Sequence, residues 1–375
     1  QTPTLSIVVE REEKIRKHVP RDYWEIKAEF GAQAGVYEGK WFDPAFKKDP
    51  GDADKRADRL WNEADAKAIV EAVRGRSGTV TEEAKPSSQA CPGLYDLTTL
   101  QREANSRFGY SAKTTLALAQ SLYERHKALT YPRTDSRALP EDYLPVVKQT
   151  LGMLATSGMR HLAPFAQQAI DNNYVKPSKR IFDNAKVSDH FAIIPTLQAP
   201  KSGGLSDAEQ KIYDLVVRRF LAVFFPPAEF LVTTRITAVG EHRFRTDGRV
   251  LVNAGWLAIY GREGGRDDTL VPVAPDERVL AETVETVGLA TRPPARYNEA
   301  TLLSAMEGAG KLIEDDELRE AMAEKGLGTP ATRAAIIEGL IAENYLVREG
   351  KELIPTPKAF QLLTLLRGLQ VNELT

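Results

Sequence analysis

Tyr131, Arg133 and Asp135 occupy alternate positions in the stretch Leu-Thr-Tyr-Pro-Arg-Thr-Asp-Ser-Arg at 129–137. Pro132 disfavours helical dihedrals at the residue before it, so Tyr131 is expected to be extended. Alternate side chains of an extended segment share a face, with neighbours on it roughly 7 Å apart. A phenol, a guanidinium and a carboxylate then look into one space. The phenol is a nucleophile, and a guanidinium grips a phosphate through two parallel hydrogen bonds. The set suits attack on a phosphodiester. On local pattern alone, a tyrosine packed at a strand end fits these residues at least as well.

Two further stretches hold candidate groups. His190 lies in SDHFAIIPT at 188–196, with Asp189 beside it to orient the ring and Lys186 upstream to add positive charge. A lone histidine is more often a structural hydrogen-bonding residue. At 328–333 the run is GTPATR. Thr329 suits a helix N-cap and Pro330 the first helical position. The open amides there, with the Thr332 hydroxyl and Arg333, compose a phosphate site.

These residues must be positioned by several folded parts, because 375 residues are enough for two to four domains. A charged fraction of 27% and a hydrophobic fraction of 42% describe a globular chain with sizeable cores. The net charge of −2 does not mark a nucleic-acid binder, so DNA contacts require local patches. One such patch spans 101–137, with seven Lys/Arg against three acidic residues. A solvated helix face is the plain alternative. The single cysteine, Cys91, excludes an internal disulfide framework and a cysteine metal site, which suits the cytosol. No apolar run reaches the ~20 residues that span a bilayer, and no signal peptide is seen. The chain begins at Gln1 and not at Met, as a fragment of something longer would.

In order along the chain, a helix is expected through Ile7–Glu12, with Thr4 as a candidate cap. Strands follow from the alternation of Trp24, Ile26, Ala28 and Phe30, continuing to Trp41-Phe42. Residues 43–58 read as a polar surface insertion, where Asp52 and Asp54 only weakly suggest a metal pair. A helix at 62–74 and a strand near 77–82 lead to Lys85-Pro86-Ser87-Ser88, read as a domain boundary. Two helices, 97–108 and 111–127, break at Gly109, with Ser111 as cap and Leu116, Ala119 and Tyr123 as the buried side. The second feeds into the Tyr131 segment in a helix-then-strand layout. Helical patterns fill 141–176 and 205–225, the latter capped by Ser206. Alternation returns at 230–238, 250–252 and Trp256-Ala258-Tyr260. The rest is helical, with a hairpin over 345–354 turning at Glu349-Gly350-Lys351.

The string LTYPRTDSRALP closely resembles the active-site segment of type IA DNA topoisomerases, in the topoisomerase III branch. QTPTL with VVERE at the start, SDHFAIIPT, and GLGTPATRAAIIEGLIAENYL at 326–346 resemble the same family in the same order. The resemblance implies an α+β, multidomain, toroidal topoisomerase body in which winged-helix-like helical domains are joined by a β-rich arch. It implies a DNA-groove domain over 1–28 and 291–375, the arch over 29–92 and 226–290, and an inserted tyrosine-bearing domain at 93–225. Tyr131 is then the nucleophile that holds a 5′-phosphate, with Arg133 and His190 beside the scissile phosphate. Gln1, Thr2, Thr329, Thr332, Arg333, Asp135 and Lys186 are the expected DNA contacts. Single-stranded DNA is the substrate and duplex DNA the passing strand. The protein is expected to be monomeric and cytoplasmic, with no membrane association and room for a helicase partner.

Because phosphodiester energy is kept in the phosphotyrosine link, resealing needs no ATP, and no GxxxxGK[ST] loop occurs. In the family Mg²⁺ is bound by an N-terminal Toprim domain, which would precede Gln1. No metal site is expected in this chain, which should therefore not cleave alone. Other readings fit less well. A tyrosine recombinase needs an HxxR element upstream of its tyrosine, whereas His242-Arg243-Phe244-Arg245 lies downstream, and a relaxase needs clustered histidines. The non-enzyme alternative is a winged-helix protein that binds single-stranded DNA without reacting.

Overall fold

The computed structural model describes residues 1–264, 267–309 and 326–373. The elements begin with α1 (Thr2–Lys17), β1 (Asp22–Ala32), β2 (Gly35–Phe42), α2 (Glu63–Val73) and β3 (Ser77–Gln89). Next come α3 (Leu97–Phe108), α4 (Ala112–Glu124), α5 (Leu144–Ala155), α6 (Ala163–Asp171) and α7 (Asp207–Ala222). Then follow β4 (Ala228–Val239), β5 (His242–Asn253), β6 (Val279–Ala290) and α8 (Glu299–Glu307). The C-terminal part holds α9 (Pro330–Ala342), β7 (Leu346–Glu349), β8 (Glu352–Pro355) and α10 (Pro357–Glu373). The class is α+β. Two compact units form: one from residues 1–17, 91–226 and 294–375, the other from 18–90 and 227–293. Residues 18–28, expected with the first helical domain, fall in the second unit.

In that second unit six antiparallel strands close into a barrel in the order β1-β2-β5-β4-β3-β6. Ile26, Ala28 and Phe30 point inward by the two-residue period of a strand, joined by Tyr37, Phe244, Ala281 and Val284. Helix α2 adds Ala66, Val70 and Val73 to the same core. Its Asn62 cap accepts from the amides of Ala64 and Asp65. Arg235 is buried among these residues. It donates to Glu82 and to the Val271 carbonyl, and its guanidinium lies over the Tyr37 ring at 4.4 Å. Asp52 and Asp54 pair with Arg21, a salt-bridge role in place of a metal one.

Two stretches differ from expectation here. Lys85-Pro86-Ser87-Ser88 is strand and not linker, the far half of β3 paired with β4 from Lys85↔Val232 to Ser88↔Glu229, and the division between the units follows it at 90–91. Proline is tolerated because β3 meets β6 only at Ser77 and Gly78, which leaves Pro86 on an unpaired edge. The Trp256–Tyr260 run is a 3₁₀ stretch (Gly255–Gly264), not a strand. Gly255 has φ 53°, outside the strand region, and Trp256, Leu257, Ile259 and Tyr260 are all buried, which strand alternation forbids.

In the first unit, Leu5, Val8 and Val9 of α1 pack with Leu302, Leu303 and Met306 of α8, Ile337 and Leu340 of α9, and Leu346 and Leu353 of the β7–β8 hairpin. The hairpin turns at Gly350, φ 59°. Helix α1 starts at Thr2, ahead of the expected position, so Thr4 is a buried interior residue and not a cap. Gly109, φ 73°, terminates α3 in the left-handed region, and Ser111 caps α4 through the Thr114 amide. The buried stripe of α4 is Ala112, Thr115, Ala119 and Leu122. Leu116 is only partly buried and Tyr123 is exposed, so the helix is rotated from the expected face.

Candidate active site

The Tyr131 segment is not a strand. It is an extended loop clamped by single hydrogen bonds to the 188–196 segment. Leu129 bridges Pro195, the Thr130 amide donates to Ile194 O, and the Thr130 hydroxyl donates to Ala192 O. Farther on, Ala192 N donates to Ala138 O, and the Ser136 hydroxyl donates to Lys186 O at 2.7 Å. Helix α3 holds the other side: Leu97 N donates to Thr134 O, and Arg137 pairs with Asp96 and Glu307. The expected period-two alternation survives without a sheet. Pro132, Thr134 and Ser136 are buried, Arg133 and Asp135 are exposed, and Tyr131 is half-buried between the two kinds.

These clamps bring His190 to Tyr131. Their rings stack with centroids 4.2 Å apart, and Tyr123 makes a T-shaped contact with Tyr131 at a centroid distance of 5.3 Å. Among the described residues, no hydrogen bond joins Asp189 to His190, and no ion pair or side-chain hydrogen bond engages Arg133. Its guanidinium and the Tyr131 hydroxyl are both available to a ligand. Lys186 is exposed in a one-turn 3₁₀ helix beside Ser136. A cleft of about 720 Å³ opens at Tyr131, lined also by Tyr123, Lys127 and Phe191.

The 329–333 helix start differs from the phosphate site expected of it. Thr329 caps α9, but in a closed capping box: the Thr332 hydroxyl takes the Thr329 amide at 2.8 Å and meets the Thr329 hydroxyl at 3.0 Å. Arg333 is only 4% exposed. It donates to Leu327 O at 3.0 Å, Thr98 Oγ1 at 2.8 Å and Gly328 O at 3.3 Å. Burial pulls its pKa down, against the opposing pull of Glu307, Asp96 and Asp135. The guanidinium is a buried tie between α9 and α3, not an outward phosphate contact. Asp135, expected as a DNA contact, is exposed, and its charge also adds to the negative field around Arg333. Gln1 and Thr2 are exposed, and the Gln1 amide lies over Gly339 of α9, where an added Cβ would come within 2.8 Å.

Residues 1–375 match the family model described as DNA topoisomerase. The chain belongs to this family. Among curated relatives it is similar to "DNA topoisomerase 3" of Shouchella clausii, 43% identical over 374 residues, covering 97% of this chain and 49% of that protein. The protein of the same name from Bacillus subtilis is 37% identical over 378 residues with the same coverages. The chain thus spans about half the length of the curated relatives it matches. Full-length topoisomerase I from Thermotoga maritima shares the fold with a TM-score of 0.67 at 22% identity, over 95% of this chain and 52% of that one.

Two features near the tyrosine are not legible in the sequence. The helical spacing puts Tyr123 on the buried side of α4, and Lys127 counts only as one charge of the basic patch at 101–137. The signal for Lys127 was weak: a lysine follows a helix end, which is common. Its φ of 52° is visible only in the structure.

Proposed function

We propose that this chain is the tyrosine-bearing body of a type IA topoisomerase of the topoisomerase III branch, acting on DNA by strand transesterification. The observation that carries the reading is the pairing of a half-buried tyrosine, stacked on His190 at 4.2 Å, with an exposed arginine two residues on that has no protein partner among the described residues. Tyr131 Oη gives up its proton and attacks the phosphorus, the P–O3′ bond breaks, the 3′-oxygen takes up a proton to leave as a hydroxyl, and a 5′-phosphotyrosine link remains. Arg133 and His190 donate to the phosphate oxygens as negative charge grows on them. Attack by the released 3′-oxygen reverses the step without ATP. Single-stranded DNA is the cleaved substrate and duplex DNA the strand that passes.

Among the described residues no group of three His, Cys, Asp or Glu side chains comes together to hold a metal ion, and no step above is routed through one. The reading assigns Mg²⁺ and the acid for the leaving 3′-oxygen to a Toprim domain outside this chain. Among the described residues no helix is long and apolar enough to cross a membrane. The reading extends to a cytoplasmic monomer, with any helicase partner bound elsewhere.

The test uses end-labelled single-stranded DNA quenched with SDS. A protein carrying this chain together with a Toprim domain should give a covalent band, and Tyr131→Phe should remove it. An adduct that persists in Tyr131→Phe overturns the assignment. DNA binding with no adduct in the intact protein would favour the non-reacting binding module.

A further inference from the structure

The cleft beside Tyr131 has walls that the transesterification above leaves unused. Tyr123 is 37% exposed on α4, beside the fully buried Leu122 of that helix's inward stripe. Phe191 is half-buried and backed by Tyr143, with ring centroids 5.0 Å apart. Lys127 stands at the rim, and Glu124, also on the wall, accepts from Gln120 at 2.7 Å. The volume of about 720 Å³ is ample for one base with its sugar.

Lys127 supplies a second observation. Its φ of 52° puts it in the left-handed region, at the end of α4, where Ala128 N closes back onto Leu122 O at 2.8 Å. Helices commonly end this way with glycine, because a β-carbon is strained there. Here the strained position carries a lysine whose side chain is exposed at the cleft. Its carbonyl is held by the Thr196 hydroxyl, so the conformation is fixed from across the cleft.

We propose that this cleft binds the base of the nucleotide immediately 3′ of the break, stacked on Tyr123 and Phe191, with Lys127 on the phosphate that follows. The proposal rests on the reading of Tyr131 as the nucleophile. Once Tyr131 Oη holds the 5′-phosphate, that nucleotide is tethered to the ring through only the phosphorus, O5′ and C5′. A cleft lined by Tyr131 itself is where its base can go. Stacking on aromatic faces is tolerant of base identity, which suits an enzyme that must act on many sequences. The site therefore holds the downstream end of the cut strand until the 3′-oxygen returns.

The test uses the same Toprim-carrying protein and an oligonucleotide with one mapped cleavage position. Adduct formation is measured on the intact strand, on a strand abasic just 3′ of the break, and on one abasic far upstream. In the unmodified protein the downstream abasic strand should react about tenfold more slowly, a stacking loss of ordinary size, and the upstream one at the normal rate. Tyr123→Ala should lose about tenfold on the intact strand and show no further loss on the downstream abasic strand. Lys127→Gly should melt no lower than the parent yet form the adduct more slowly. If Tyr123→Ala keeps the full abasic penalty, the base does not stack there and the proposal falls while Tyr131 stands. If no adduct forms on any strand, the assignment of Tyr131 itself is lost, and this site with it.

Discussion

Arg333 distinguishes a structural tie from a DNA contact most sharply. Arg333→Ala leaves two buried acceptors, Leu327 O and Thr98 Oγ1, without the donors they have at 3.0 and 2.8 Å. Each stranded acceptor costs about 1–3 kcal/mol. Loss of the packed stem adds roughly 0.8 kcal/mol per methylene. Against this, the fold no longer has to hold a buried cation whose pKa burial already lowers. The net is about 3–4 kcal/mol, within the usual range for breaking one side of a buried charged network. For a unit of this size each kcal/mol lowers Tm by roughly 2–4 °C, so a fall of about 6–16 °C is expected in differential scanning fluorimetry. Arg333→Met, which keeps the stem, should lose roughly half as much. Single-stranded DNA binding by the folded protein at low temperature should keep its salt slope, because no phosphate contact has been removed. A Tm within about 2 °C of the parent, together with a flatter salt dependence, would refute the buried role.

Three further outcomes follow from the same geometry. Burial alone would raise the Glu209 pKa, but the Ser206 amide, the Ser121 and Ser206 hydroxyls and His126 hold it down at about 2. A carboxyl lowered from 4.5 contributes stability that is complete above that value and lost as pH falls toward 2. Glu209→Gln should therefore flatten the Tm–pH curve over that acid range, and an unchanged curve would count against the network. Burial pushes the Cys91 thiol up to about 11, so alkylation at pH 8 should be undetectable in the native protein and prompt after unfolding. Thr332→Ala opens the capping box of α9 and should cost about 1 kcal/mol in urea unfolding while leaving DNA affinity nearly unchanged.

What the sequence revealed depended on how local the cause was. Caps and helix ends at Ser111, Gly109 and Ser206 are set within four residues, and their residue types announce them. The alternation around Tyr131 was also readable, since Pro132 and the chain's period fix it even without a sheet. Arg333 was not. Its position after a cap suggests an outward anion site, but its direction is decided by Thr98, 235 positions earlier. Tyr123 was misplaced because Leu116, Ala119 and Tyr123 form as good a helical stripe on paper as the real one, in which Thr115 is a buried polar residue. Trp256 and Tyr260 carried a strand-like spacing that the left-handed Gly255 interrupts.

The barrel register has a consequence for how the chain folds. Gln89, at the end of β3, pairs with Ala228, at the start of β4, so about 140 residues leave and return at one rung. If that intervening chain were still a coil, closing it would cost roughly 4 kcal/mol of entropy, from 1.5RT times the logarithm of its length. An insert that has already collapsed with its own ends close together removes most of that penalty. The β3–β4 ladder is thus expected to zip late, gated by an event elsewhere in the chain. Replacing 90–227 by a two-residue turn should speed barrel refolding in stopped-flow fluorescence. An unchanged rate would mean that the nucleus lies in a strand pair whose connection the deletion leaves alone, such as β1 with β2 or β4 with β5.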